Sequence, residues 1–121
     1  MKERRTIRRR YLLYYARIFD TSTRQQVGNL VDITTHGAMA LSPKAFVAGQ
    51  TYRLRIELSD DISDRADMEI SMIARWSHPD IEPRLFNTGF EFLEVGKDEE
   101  AVIKRIVEIY GFRDNLLPRA G

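Results

Sequence analysis

Apolar and polar residues alternate one by one over much of the chain, and this pattern constrains the fold more than any other feature. In the segment 68–76 every second residue is apolar, whereas Glu69, Ser71 and Arg75 fall between them. A period of two is typical of a strand with one face in a core and the other in water. Five further segments, each rich in apolar, β-branched or aromatic residues, are also predicted strands: 11–20, 27–34, 38–41, 52–58 and 86–92.

Residues that favour turns separate these segments, so the sequence predicts six antiparallel strands with short connections. The turns are expected at 21–24, 36–37, 42–43, 48–50, 59–67 and 78–83. An open sheet of this size with one apolar face would expose two edges, and closure into a small barrel removes both. The predicted fold class is therefore mainly β, a six-stranded antiparallel barrel.

The pattern changes near the C-terminus, where apolar residues follow a helical period. Val102, Ile106 and Tyr110 share one face of a predicted helix at about 98–110. Three acidic residues open this segment, where the helix dipole favours negative charge, and Gly111 is a natural stop. We expect the helix to cover the open mouth of the barrel. Residues 11–112 would then form a single domain, followed by a tail at 113–121.

Charge is distributed unevenly along the chain. Residues 1–10 contain six basic residues and one acidic residue, a net charge of +5. The remaining 111 residues contain 13 basic and 17 acidic residues, a net charge of −4. A short basic arm on an acidic domain suggests an anionic partner. The sequence has no cysteine, no signal peptide and no apolar run long enough to span a membrane, so we expect a cytoplasmic location.

The sequence offers little for catalysis or metal binding. His36 and His78 are the only histidines, and without cysteine they do not suggest a zinc site. We expect both to be exposed loop residues. No nucleophile elbow, P-loop or dinucleotide-binding glycine motif is present, so we expect neither an enzyme nor a cofactor. The four aspartates at 60, 61, 64 and 67 lack the glycine and glutamate of a calcium loop, which predicts a solvated hairpin tip.

Two short motifs remain, and each alone has an ordinary explanation. The first is the arginine-rich arm, which by itself would be a solvated tail. The second is DITTHG at residues 32–37, which by itself would be the end of a strand that enters a tight turn. In that turn Asp32 and Thr34 would bond to local backbone groups, and Gly37 would supply a positive φ.

Together, the two motifs resemble those of the PilZ family. Its signatures are RxxxR and, about twenty to thirty residues later, [D/N]xSxxG; the corresponding stretches here are ERRTIRR at 3–9 and DITTHG at 32–37. Thr34 stands where the family pattern has serine, which keeps the hydroxyl but adds a methyl group. The stretch 89–92, GFEF, also resembles the Gly-x-x-Phe pattern of the family's last strands. The resemblance extends from Glu3 to about Tyr110. It implies a PilZ-type six-stranded barrel with one C-terminal α-helix. This agrees with the six strands and the helix that the spacing of apolar residues predicts.

The resemblance implies that the chain binds cyclic di-GMP, a bacterial second messenger with two guanines and two phosphates. Arginine can pair with two acceptors of guanine, bridge phosphates and stack on a purine, and a carboxylate can accept from guanine N1 and N2. The implied binding residues are Arg4, Arg5, Arg8, Arg9, Asp32, Thr34 and Gly37, with Trp76 and His36 as further candidates. Binding would order the arm, and a downstream effector protein would read that change.

Several alternatives stay open at this point. Arg4 with Arg8 and Arg5 with Arg9 both satisfy RxxxR, and the family's usual Glu-Arg-Arg opening favours Arg5 and Arg9. Trp76 is either a core residue, as the alternation suggests, or a wall of the site. A nucleotide-independent PilZ-like adaptor is the second functional hypothesis. A nucleic-acid binder is the third, and the acidic character of residues 11–121 argues against it.

Overall fold

The computed structural model describes residues 16–111 and shows a closed antiparallel barrel of six strands with one C-terminal α-helix. Its elements are β1 (Arg17–Asp20), β2 (Gln26–Ile33), β3 (Gly37–Ser42), β4 (Thr51–Glu57), β5 (Asp67–Pro79), β6 (Phe86–Glu94) and α1 (Lys97–Ile106). The strands follow one another around the barrel in the order β1-β2-β3-β6-β5-β4. The predicted fold class is confirmed. The arm at 1–10, the first part of the predicted strand 11–20 and the tail at 113–121 lie outside the described residues.

The interior of the barrel is filled by the residues that the alternation places on one face. Leu54 and Ile56 of β4 face inward, as do Met68, Ile70 and Met72 of β5, and all five side chains are at most 1% exposed. Full burial of a side chain of this size contributes about 1.5–3 kcal/mol, so these two strands stabilise the barrel strongly. The register is fixed by the same alternation, because a slip of one residue would turn every one of these side chains to the water.

The helix α1 begins at Lys97 and continues after Ile106 as a π-helical turn, Val107–Gly111. Val102, Ile103 and Ile106 are buried and belong to the same core cluster as the strands, as the helical period predicted. No helix among residues 16–111 is long and apolar enough to cross a membrane.

The connection between β4 and β5 differs from the solvated tip that the aspartates suggested. Its Ile62 is only 7% exposed and joins the core cluster that contains the helix residues. Arg65 forms an ion pair with Glu99 of α1 at 3.1 Å, and Arg105 donates to the carbonyl oxygen of Asp61 at 3.1 Å. The pKa of Glu99 is lowered because its carboxylate accepts from its own backbone N–H, and Arg65 adds to this effect. The hairpin therefore fastens the helix to the barrel.

One end of the barrel brings together the start of β1 and the turn between β2 and β3. The start of β1 pairs with the end of β4, and the start of β3 pairs with β6 where Gly37 lies opposite Glu91. The Ala16 carbonyl, just before β1, accepts from the Leu30 N–H at 2.9 Å. The first described residue and the turn at 34–36 therefore lie at the same end of the barrel.

Candidate functional site

A groove with a volume of about 340 Å³ lies on the outer surface of the barrel, across the ends of β2, β3, β5 and β6. It contains most of the DITTHG motif together with residues that are far away in the sequence. The side chains and backbone that line it belong to Asp32, Ile33, Thr34, His36, Gly37, Ala38, Met39, Trp76, Gly89, Phe90 and Glu91. The structure thus brings together all the predicted site residues that it describes.

A β-bulge in β2 turns Asp32 toward the groove. Leu30 pairs with Ala40 and Asp32 pairs with the next residue, Met39, so that Val31 is the extra residue on β2. Leu30 and Val31 are both buried, whereas Asp32 is partly exposed. One carboxylate oxygen, Oδ1, accepts from the N–H of Ile33 at 2.9 Å. Bulges commonly change the direction of a side chain in this way, and here the carboxylate is partly exposed and held by a hydrogen bond.

A second bulge, in β5, turns Trp76 outward. Ala74 pairs with Phe90 and Trp76 pairs with Gly89, so Arg75 is the extra residue. Ala74 is fully buried, Trp76 is 38% exposed, and Ser77 returns to the interior, where its hydroxyl lies 2.8 Å from that of Thr88. The core interpretation of Trp76 was therefore wrong, because the extra residue reverses the alternation. Its indole lines the groove instead.

The two bulges align four residues in a row across four strands. Asp32 lies opposite Met39, Met39 opposite Gly89, and Gly89 opposite Trp76. Gly89 is the floor under the indole, since a β-carbon at this position would overlap atoms of both rings of Trp76. The row places a carboxylate and a large aromatic ring on the same wall, which suits a ligand with hydrogen-bond donors and a flat ring.

Substitution of Gly89 by alanine is expected to displace the Trp76 indole from the groove wall. The added methyl group competes with the ring for the same space, and the exposed ring can move more easily than the strand. Trp76 is the only tryptophan, so its emission spectrum should shift directly, with a loss of stability of about 1 kcal/mol. Leu93→Ala, on the outer surface of the same strand, is the control and should leave the emission unchanged. An unchanged spectrum in Gly89→Ala would contradict this packing.

The turn at the end of the groove is built around the hydroxyl of Thr34. This oxygen accepts from the N–H groups of His36 and Gly37 at 3.1 and 3.2 Å, and the Thr34 N–H donates to the Gly37 carbonyl at 2.8 Å. The expectation that Thr34 bonds to local backbone is confirmed. The His36 carbonyl accepts from Phe92 N–H at 2.9 Å, which ties the turn to β6, and the His36 side chain is exposed as expected.

Gly37 has a different role from the one that the turn pattern suggested. Among the described residues, positive φ values belong to Gly49 and Arg24, and Gly37 has none. Instead, a β-carbon on Gly37 would overlap the carbonyl oxygen of Phe90 on β6. Glycine is needed here because two backbones approach closely, which the sequence pattern of a turn does not reveal.

His78 is the second histidine, and its predicted position in a loop was wrong. It lies within β5, which extends to Pro79, and its ring stacks on that of Trp76 with ring centroids 5.1 Å apart. Sequence reasoning also missed Gly89 and Met39 as parts of the groove. The spacing of Trp76 and His78, two residues apart on one strand, was the signal that could have indicated a shared face.

The charge of the described groove is negative. Asp32 and Glu91 line it, and no lysine or arginine does so among residues 16–111. Arg75 lies near the edge, where its Nε donates to Oε1 of Glu91 at 2.7 Å. The predicted cationic partners, Arg4, Arg5, Arg8 and Arg9, lie outside the described residues. The groove itself therefore offers acceptors and an aromatic surface, whereas positive charge for an anionic ligand must come from elsewhere.

The fold is a closed six-stranded barrel with one C-terminal helix and a groove on its outer surface. The chain belongs to the PilZ domain family, whose model matches residues 3–108 and so includes both motifs. This family consists of binding and receptor domains rather than enzymes. No curated protein matches the chain.

Solved structures that share the fold include two from different bacteria. One is the PilZ domain of YcgR from Escherichia coli with c-di-GMP, which has 15% sequence identity and a TM-score of 0.55; the match covers 89% of each chain. The other is the inhibitor of motility MotI/DgrA from Bacillus subtilis, with 15% identity and a TM-score of 0.63. That match covers 82% of this chain and 46% of the other, so the chain spans less than half the length of MotI.

Proposed function

We propose that this domain is a bacterial receptor for cyclic di-GMP and that the groove and the arginine arm together bind the dinucleotide. The observation that carries the proposal is the row across four strands, which places Asp32 and Trp76 on one wall beside the turn of the DITTHG motif. The two guanines of cyclic di-GMP present donor edges and flat faces, and this wall has a partner for each kind of contact. The domain would occupy residues 11–112, between the arm at 1–10 and the tail at 113–121, in the cytoplasm.

Asp32 is suited to bind the guanine edge. Guanine carries adjacent N–H donors at N1 and N2, and a carboxylate can accept from both. Asp32 is partly exposed, and its bond to the Ile33 N–H holds one oxygen in place before any ligand arrives. A fixed acceptor loses little freedom on binding, which favours affinity.

Trp76 and the turn would provide the remaining contacts of the groove. The indole is exposed enough to stack on a purine, and base stacking on an aromatic side chain contributes about 1–3 kcal/mol. Thr34 and Gly37 shape the turn at the edge of the ligand, and His36 lies exposed beside it. Since the Thr34 hydroxyl already accepts hydrogen bonds from backbone N–H groups of the turn, Thr34 would contribute mainly to the shape of the site.

The arm would supply the positive charge that the described groove lacks. Ala16 follows Arg9 by seven positions, and seven steps of an extended chain span about 23 Å. β1 is the neighbour of β2, and adjacent strands lie only about 4.8 Å apart. The arm is thus long enough to bring Arg5 and Arg9 to Asp32, where they would contact phosphates and guanine, with Arg4 and Arg8 as auxiliary contacts. Ordering of the arm on binding would then signal to an effector protein.

Isothermal titration of the full chain with cyclic di-GMP tests this proposal and its arginine register. We expect saturable binding, and no heat with cyclic GMP or GTP. Arg5→Ala and Arg9→Ala should each weaken binding by about tenfold to a hundredfold, because each removes charge-assisted hydrogen bonds of about 1.5–3 kcal/mol. Arg4→Ala and Arg8→Ala are the matched controls and should have smaller effects. If Arg4→Ala and Arg8→Ala weakened binding more than the other two variants, Arg4 and Arg8 would be the main binding pair. No heat with the unmodified chain would reject the receptor and favour the nucleotide-independent adaptor.

A further inference from the structure

We propose that His78 is a positioning residue for Trp76: its imidazole holds the indole in the groove wall in the orientation that a guanine needs for stacking. The role toward guanine rests on the proposed function. The contact between the two rings is a property of the free protein, and it can be tested without any ligand.

The two rings form a near-parallel stack. Their planes differ by 22° and their centroids are 5.1 Å apart. Trp76 and His78 are two residues apart on β5, so both side chains leave the strand on the same outer face. His78 itself is exposed and lies opposite Asn87 of β6. Within residues 16–111 its imidazole makes no hydrogen bond or ion pair, and the stack on Trp76 is the contact that orients it.

Trp76 needs such a neighbour because the sheet gives it little lateral support. The pairing of β4 with β5 ends at Thr51 and Ile73, so no residue of β4 pairs with Trp76. On the other side its partner is Gly89, which has no side chain and leaves a flat floor. The floor permits the indole to lie over the strand but does not fix its tilt. Among the described residues, the aromatic ring that limits this tilt is that of His78.

A preoriented ring favours binding, because a side chain that is already ordered loses less freedom when the ligand stacks on it. Removal of the imidazole should therefore weaken binding without removing any contact to the ligand. A planar side chain of similar size should restore the effect even when it carries no nitrogen. The comparison of these two substitutions distinguishes a positioning role of His78 from a direct hydrogen bond or charge interaction with the ligand.

The experiment uses the full chain and its single tryptophan. Time-resolved fluorescence anisotropy of Trp76 is measured without ligand in the unmodified chain, His78→Ala, His78→Phe and the control Ile81→Ala, which alters a fully exposed side chain of the next loop. Titration with cyclic di-GMP follows for each. We expect a larger amplitude of fast indole motion and about fivefold to tenfold weaker binding in His78→Ala. His78→Phe should stay within about twofold of the unmodified chain in both measurements, and Ile81→Ala should change neither.

The outcomes are distinct. Unchanged anisotropy in His78→Ala would overturn the proposal, whatever the ligand does. Equal loss of affinity in His78→Ala and His78→Phe would also overturn it, since the imidazole would then act through its nitrogens. If the unmodified chain binds no cyclic di-GMP, the receptor proposal fails, and the anisotropy alone still decides whether His78 positions the indole.

Discussion

Asp32→Ala is expected to weaken cyclic di-GMP binding by at least about a hundredfold while the barrel stays folded. The variant removes a carboxylate that would accept two hydrogen bonds from guanine, and bonds to charged groups contribute about 1.5–3 kcal/mol each. The side chain lies at the surface, so its loss opens no cavity in the core. The bond from Ile33 N–H to Oδ1 is also lost, with an expected cost of about 1 kcal/mol to stability.

Isothermal titration measures this effect, and urea denaturation shows whether the variant is folded. Asp60→Ala is the matched control, because Asp60 is an exposed aspartate in the hairpin between β4 and β5, away from the groove. It should bind as the unmodified chain does. Asp32→Asn keeps the shape of the side chain and one acceptor oxygen, so its affinity for cyclic di-GMP should lie between those of Asp32→Ala and the unmodified chain. Unimpaired binding by a folded Asp32→Ala would show that the carboxylate does not contact the ligand.

Gly37→Ala is expected to destabilise the domain by about 3 kcal/mol. A β-carbon at this position overlaps the carbonyl oxygen of Phe90, which is part of the β3–β6 ladder and has no side-chain freedom to move away. Forced overlap in a packed region costs about 1–3 kcal/mol, and a backbone obstacle belongs at the upper end of that range. Since domains of this size are stable by only about 5–15 kcal/mol, the loss should lower the melting temperature by about 10 °C or more.

Thr35→Ala is the control for this effect, since Thr35 is an exposed residue of the same turn. It should change the free energy of unfolding by less than about 0.5 kcal/mol. Urea unfolding of both variants provides the comparison. If Gly37→Ala were as stable as Thr35→Ala, the inference that the turn approaches β6 too closely for a β-carbon would be contradicted. In that case Gly37 would serve only the shape of the turn.

The period of the sequence predicted the strands well because the signal is local. Each strand places alternate residues in the core, and the pattern can be read without knowledge of the neighbouring strands. The helix was predicted for the same reason, from a period that places Val102, Ile103 and Ile106 on one face. The motif at residues 32–37 also predicted the location of the groove, since nearly all of it lines that surface.

The predictions from the sequence were wrong where the position of a side chain depends on how two strands pair. A bulge is one residue too many on one strand relative to its partner, so it cannot be recognised in a single strand. That extra residue, Arg75, places Trp76 in the groove and not in the core, which was one of its two predicted locations. His78 was placed in a loop because the proline and acidic residues after it suggest a turn, whereas pairing with β6 extends the strand to Pro79.

The sequence by itself thus determined the class of fold, the family and the presence of two motifs, the arginine-rich arm and DITTHG. Only the tertiary structure decided that Asp32 and Trp76 share one wall, that Gly89 leaves room for the indole and that Gly37 is needed for the approach to Phe90. The physical reason is that hydrophobic periodicity is a property of each segment, whereas register, bulges and close backbone contacts are properties of pairs of segments.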